Sequence, residues 1–267
     1  MARTLKQQVS TLIGVLVTDL RNPFYAELAA GIEREARQNG YAMMLVDACN
    51  SAEVENNAAL EFVGRRVSGV ILTPSSAAVS VYLKERAIPV VEIDRQFAAG
   101  SADGVIVGNR MCAREATDHL IMLGHRRIAL FIDDSAWTTG SERRHGYRDA
   151  LAVRGIAFDP DLVLQAAWDV GTSYSRALNM LRRDNRPSAV LACNNVLAEG
   201  VWRAVTELGL RVPGDLSLVA FDDVPWMSLV TPGVSTVVQD ATRLGAVAVG
   251  RLLHRLTGAD PESVTTV

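Results

Sequence analysis

Short, continuously apolar runs recur along the chain and are separated by longer amphipathic stretches. The runs are "LIGVLV" (12–17), "AMMLVD" (42–47), "GVILT" (69–73), "PVVEI" (89–93), "GVIVG" (104–108), "RIALFID" (127–133), "DLVLQA" (161–166), "AVLAC" (189–193), "LSLVAFD" (216–222) and "VSTVVQ" (234–239). They do not alternate apolar with polar, which is the signature of strands buried on both faces, as in parallel sheets. The stretches between them follow helical periodicity. "NPFYAELAAGIEREARQNG" offers Asn22 as N-cap and Pro23 at the first helical position. It lines up Phe24, Leu28, Ile32 and Ala36 on one face and stops at Gly40. "REATDHLIMLGH", "GYRDALAVRG" and "NVLAEGVWRAVTELG" behave in the same way. Alternating strands and helices define an α/β fold with right-handed crossovers. Ten strands exceed one small sheet, so the pattern predicts two doubly wound parallel-sheet lobes. A (β/α)₈ barrel is the alternative, for which the strand count is unsuited.

Polar residues gather where these strands end. The runs are followed by Thr18 and Asp19, Asp94 and Arg95, Asp133 and Asp134, Trp168 and Asp169, Asn194 and Asn195, Asp222 and Asp223, and Gln239 and Asp240. Open parallel sheets bind ligands at the carboxyl ends of their strands. Carboxylates and amides there can exchange hydrogen bonds with hydroxyls, while an indole covers an apolar ring face. Asp and Asn also favour turns and helix N-caps for purely local reasons. Any single position is explained by that preference, whereas seven strand ends together point to a polar pocket. Neighbouring side chains diverge after a strand, so of Asp222 and Asp223 one is expected in the pocket and the other in a structural role.

Composition narrows the classes. With 267 residues, 49% hydrophobic and 21% charged, the chain is an ordinary globular one. A formal net charge of −3 does not suit a surface that grips nucleic acid by itself. Cys49, Cys112 and Cys193 are far apart and form no metal or disulfide pattern, so they read as buried thiols in a reducing, cytoplasmic setting. The apolar stretch near the start is too short for a secretory signal, and no run is long enough to span a membrane. No dinucleotide or phosphate-binding glycine motif and no G-x-S-x-G elbow occurs, and the only lysines are Lys6 and Lys84. His119, His125, His145 and His254 stand beside no nucleophile or metal motif, and the "GHRR" turn containing His125 reads as structural. No catalytic constellation, metal site or cofactor is expected.

The segments "IGVLVTDLRNPFYAEL", "RRVSGVIL", "PVVEIDR", "HLIMLGHRRIAL", "SERRHGYRDAL", "AVLACNN", "GLRVPGDLSLVAFDD" and "STVVQD" follow one another in this order. Together they resemble the effector-binding core of the lactose-repressor/galactose-repressor family of bacterial transcription regulators, over nearly the whole chain. The resemblance implies a periplasmic-binding-protein-like fold: two α/β lobes joined by crossovers, with a small effector, usually a sugar, clamped between them. It implies an N-terminal lobe over 11–107 and 241–267 and a C-terminal lobe over 108–240. It implies effector contacts from Asp19, Phe24 and Tyr25 in the turn "TDLRNPFY", and from Arg143 as the clamping arginine. Trp137 and Thr139 would reach the effector from a loop preceding Arg143. Trp168 would stack on its ring, and Asn194, Asp222 and Gln239 would be polar ligands. A homodimer, operator DNA bound through the full-length protein, and no enzymatic activity are also implied. Residues 1–10 are similar to the family's hinge helix, with Leu5 as the wedge into the minor groove and Arg3 beside it. The helix-turn-helix that precedes that helix in the family is not in this sequence. Two departures stand out: Gly108 and Asn195 each occupy a position where the family usually has Asp. By the same resemblance the chain, ending at "ESVTTV", is expected to stop short of the family's last strand. A free-standing sugar receptor for transport or chemotaxis shares the fold and is the alternative, although such a receptor has no use for a hinge helix.

Overall fold

The computed structural model describes residues 10–97, 103–133, 137–258 and 263–267. It divides into two compact units, one formed by the chain up to Val107 and from Asp240 onward, the other by Gly108–Gln239. Arg3, Leu5 and Asp134 lie outside the described residues.

In the first unit the chain runs β1 (Leu12–Val17), α1 (Pro23–Gln38), β2 (Ala42–Asp47), α2 (Ala52–Gly64), β3 (Gly69–Leu72), α3 (Ala77–Lys84), β4 (Val90–Asp94) and β5 (Asp103–Ile106). In the second it continues α4 (Asn109–Met122), β6 (Ile128–Ile132), α5 (Thr138–Val153), a single 3-10 turn (Pro160–Leu162), β7 (Val163–Gln165), α6 (Val170–Leu181), β8 (Ala189–Ala192), α7 (Asn195–Glu207), β9 (Ser217–Phe221), α8 (Pro225–Leu229) and β10 (Ser235–Val237). It then returns to the first unit with α9 (Ala241–Leu256) and β11 (Val264–Thr266). All ten expected strands form. The eleventh, β11, pairs parallel to β5 (Thr265 opposite Val105) and is too short and polar to be read from its own pattern. The α1 cap is as expected: Asn22 Oδ1 accepts from Phe24 N at 3.1 Å, and Phe24, Leu28, Ile32 and Ala36 are buried.

The two sheets share one topology. Every pairing is parallel, with order β2-β1-β3-β4-β5-β11 in the first unit and β7-β6-β8-β9-β10 in the second. Numbered within each unit, the second reads 2-1-3-4-5 and the first reads the same with β11 added beyond its fifth strand, the doubly wound order whose direction of winding reverses between its first and third strands. Such a reversal leaves a crevice at the carboxyl ends of β1 and β3, and of β6 and β8. Helices cover both faces, and so β3, β6 and β8 have no exposed residue and read as unbroken apolar runs. No helix among the described residues is long and apolar enough to cross a membrane.

One helix contact bears on the site. A Cβ on Gly146 of α5 would lie 2.1 Å from the Arg110 carbonyl oxygen and 2.9 Å from the Arg114 amide nitrogen of α4. The missing side chain lets the two helices touch backbone to backbone, which brings Arg143, one turn earlier on α5, beside the start of α4.

Candidate functional site

In the second unit the strand ends carry a connected polar network. Asn194, two residues after the end of β8, caps α7 by accepting from Leu197 N at 2.8 Å. It also donates to Asp133, directly after β6, at 3.4 Å, so the pair spans the crevice where the winding reverses. Asp222, directly after β9, accepts from Asn195 N at 3.1 Å and Asn195 Nδ2 at 2.8 Å on one oxygen, and from Gln239 Nε2 on the other. Asp222 has φ of 68°, in the left-handed region, where Asp is one of the few tolerated non-glycine residues. Asp222 is buried and Asp223 is exposed.

Arg143 sits inside this network and is only 4% exposed. Its Nε donates to Asn109 Oδ1 at 2.7 Å, one terminal nitrogen donates to the Cys193 carbonyl, and the other donates to Gln239 Oε1 at 3.2 Å. The guanidinium lies 4.0 Å from the centre of the Phe221 ring, which supports it as a flat apolar floor. Arg143 lies within α5, which begins at Thr138. The loop expected before it ends at Trp137, and Thr139 is a buried residue of the first helical turn. The early start escaped the sequence because Trp137 makes no side-chain cap bond. Beside the network, Trp137 and Trp168 pack edge to face, with ring centres 6.2 Å apart at 64°. They line a cavity of about 320 Å³ with Asp133, Gln165 and Arg176.

The first unit has a parallel arrangement. Arg95, after β4, is 1% exposed and joins three strand ends: it donates to the Pro74 carbonyl at 2.8 Å and to Thr18 Oγ1 at 3.1 Å. Asp94 has φ of 71°, matching Asp222, and its carboxylate accepts from the buried Tyr25 hydroxyl at 3.1 Å. Burial first, then the Asp94 charge, pushes the Tyr25 phenol well above its usual range, so it stays a donor. Phe24 meets Tyr25 edge to face at 5.1 Å. Asp19 is already held: both its oxygens accept from the Arg21 side chain, at 2.9 and 2.8 Å, and that hydrogen bonding lowers its pKa. Glu55 of α2 is fully buried and accepts from Ser75 N at 2.7 Å, which ties down the loop after β3; burial raises its pKa.

The structure thus brings together Arg143, Asn194, Asp222 and Gln239 in one network with Trp137, Thr139 and Trp168 nearby, and separately Phe24 and Tyr25 with Asp94. Asp19 stands apart, paired with Arg21. Asn109, Asp133, Asp94 and Arg95 carry as much of the geometry as the expected residues. The last three were visible at strand ends or next to one, whereas Asn109 had no local signal. His125 bridges Ser188 Oγ (2.8 Å) and Ser217 Oγ (2.9 Å), two residues just before the starts of β8 and at the start of β9, which is a structural role. Among the described residues no group of three or more His, Cys, Asp or Glu is placed to hold a metal ion.

Two doubly wound sheets that share the order 2-1-3-4-5, each with a left-handed aspartate at a strand end and a buried arginine bonded to strand-end groups, define a small-molecule-binding core of periplasmic-binding-protein type. The family model described as "Periplasmic binding protein-like domain" matches residues 117–267, more than half of the chain. The chain is similar to the ribose operon repressor of Haemophilus influenzae, with 29% identity over all of this chain and 80% of that protein. It is 31% identical to the HTH-type transcriptional repressor PurR of Erwinia tasmaniensis, over 99% of this chain and 79% of that one. It superposes on a LacI family transcriptional regulator from Enterococcus faecium, solved with bound ribose, with a TM-score of 0.84 and 27% identity over 96% and 94% of the two chains. The chain belongs to the lactose-repressor/galactose-repressor family of transcriptional regulators and forms the effector-binding core of such a regulator.

Proposed function

We propose that this core senses a small sugar of the size and polarity of D-ribose. The observation that carries the reading is the network of Asp222, Asn194, Gln239 and Arg143 at the carboxyl ends of β8, β9 and β10. These groups offer several acceptors and a fixed fork of donors, which suits vicinal hydroxyls. Trp168, with Trp137 behind it, covers the apolar face of the ring. Thr139, buried in the first turn of α5, adds a wall. The names of two relatives support the choice of sugar, one a repressor of a ribose operon and one a regulator carrying ribose.

In this reading sugar binding is linked to operator DNA in the full-length protein, acting as a homodimer. The linkage works only through differential affinity: effector and operator must prefer particular conformations to different degrees. Arg3 and Leu5, outside the described residues, are assigned to the operator contact. The test is a thermal-shift and calorimetric screen of pentoses, hexoses and their derivatives. A ligand at a hundred times its Kd stabilises the folded protein by about 2.7 kcal/mol, a readily measured rise in Tm. D-Ribose or a close relative is expected to produce it, and a screen in which no sugar binds refutes the proposal.

A further inference from the structure

The chain passes between its two units twice, at Val107–Gly108 and at Gln239–Asp240. Asn109 is the second residue after the first passage, and Gln239 is the last residue before the second. Inside the second unit both are bonded to one side chain, with Arg143 Nε on Asn109 at 2.7 Å and a terminal Arg143 nitrogen on Gln239 at 3.2 Å. The third engaged nitrogen is fixed to the Cys193 carbonyl at the end of β8, and the plane rests on Phe221.

We infer that Asn109 and Gln239 are positioning residues for Arg143, and that this guanidinium joins the two passage segments into one latch that effector binding works upon. The inference rests on the reading of Arg143 as an effector contact. Gln239 is committed twice: its oxygen accepts from Arg143 and its nitrogen donates to Asp222. Two groups assigned to the effector therefore set the rotamer of the last residue before a passage. A hydroxyl that draws a hydrogen from Arg143, or takes Asp222 as its acceptor, competes with Gln239 directly. The change reaches Asn109 through the same rigid, planar ion, because a guanidinium cannot turn one N–H without turning the others. Asn109 has no effector contact assigned to it, and the route from it to effector affinity that this inference names is its bond to Arg143 Nε.

The test uses the whole chain in a double-mutant cycle. Asn109→Ala, Gln239→Ala and the double variant are compared by urea unfolding and by calorimetric titration with D-ribose. Each single change is expected to lower the folding constant at least tenfold, Asn109→Ala through its one bond to Arg143 and Gln239→Ala through its bonds to Arg143 and Asp222. The double variant is expected to fall well short of the product of the two single losses that independent sites give, because both residues act on one partner. Asn109→Ala is expected to weaken ribose binding at least tenfold, and Asn109→Asp, which keeps the acceptor, to restore it to within threefold. Small-angle scattering should show a ribose-dependent change in radius of gyration for the wild type that shrinks in either single variant, which a merely structural role would not cause. Additive losses in the urea cycle overturn the inference, whatever the titrations give. So does an Asn109→Ala protein that binds ribose within twofold of the wild type. A wild type that binds no sugar refutes the sugar reading instead, and the ligand-free cycle still decides whether the latch exists.

Discussion

Replacing Arg143 with alanine is expected to do two things at once: abolish effector binding and destabilise the second unit. Had Arg143 been a surface clamp, only the first would follow. Its 4% exposure and three acceptors change that. The substitution leaves Asn109 Oδ1, the Cys193 carbonyl and Gln239 Oε1 without their donor. An orphaned buried polar group costs about 1–3 kcal/mol. Water entering the vacated space and reorientation of both amides recover part of this, so the three together come to about 3–5 kcal/mol, the upper end for a single substitution. The Phe221 ring also loses its cation. Arg143→Lys is the informative companion. It retains the charge and can reach one acceptor but not three in the fixed geometry of a fork, so about half the loss is expected. Urea unfolding followed by far-ultraviolet circular dichroism gives the stabilities, and calorimetry gives the affinities. If Arg143→Ala unfolds within about 1 kcal/mol of the wild type, which is the range of an exposed ion pair, the burial argument is refuted.

Three further changes probe the surrounding geometry. Gly146→Ala drives a Cβ into the α4 backbone, where the Arg110 carbonyl would be 2.1 Å away; a loss of about 1–3 kcal/mol and weaker effector binding are expected, and unchanged thermal stability would show that the helices part freely. Asp222→Asn keeps a side chain tolerated at φ of 68° but turns an amide donor toward one of the donors from Asn195 and Gln239, whereas Asp222→Ala adds a left-handed penalty of about 1–2 kcal/mol. Alanine should therefore be the less stable of the two in urea, with effector affinity lost in both; equal stabilities would remove the backbone argument. His125 is held below its usual pKa by burial, so the unfolded chain takes up its proton first and the residue's contribution to stability is lost as pH falls below about 6.5. Urea midpoints between pH 8 and 5 should fall more steeply for the wild type than for His125→Gln, and parallel curves would contradict this.

Most of the fold was legible because the signals are local. Strands buried on both faces need unbroken apolar runs, and α1 declares itself through Asn22, Pro23 and the Phe24–Leu28–Ile32–Ala36 face. What escaped depends on distant partners. β11 is three residues whose strand character comes from β5, more than 150 residues earlier in the chain. The first turn of α5 lacks a side-chain cap, so its start was read as loop. Asp94 and Arg95 were visible as polar residues at the end of β4, but nothing local distinguishes an arginine buried across three strand ends from one in solvent. Asn109 carried no local signal of its own. Its importance comes from Gly146, which closes α5 against α4 and puts Arg143 within 2.7 Å of it. Asp19 is the converse: its position after β1 suggested a ligand contact, while its neighbour Arg21 occupies both of its oxygens.

The most direct test of the central claim is a crystal structure of the chain with the sugar that gives the largest thermal shift. The expected result is a sugar hydroxyl within hydrogen-bonding distance of Asp222 and of Arg143 or Asn194, with the ring against Trp168. A sugar bound elsewhere on the surface, with the network of Arg143, Gln239 and Asp222 untouched, would contradict it.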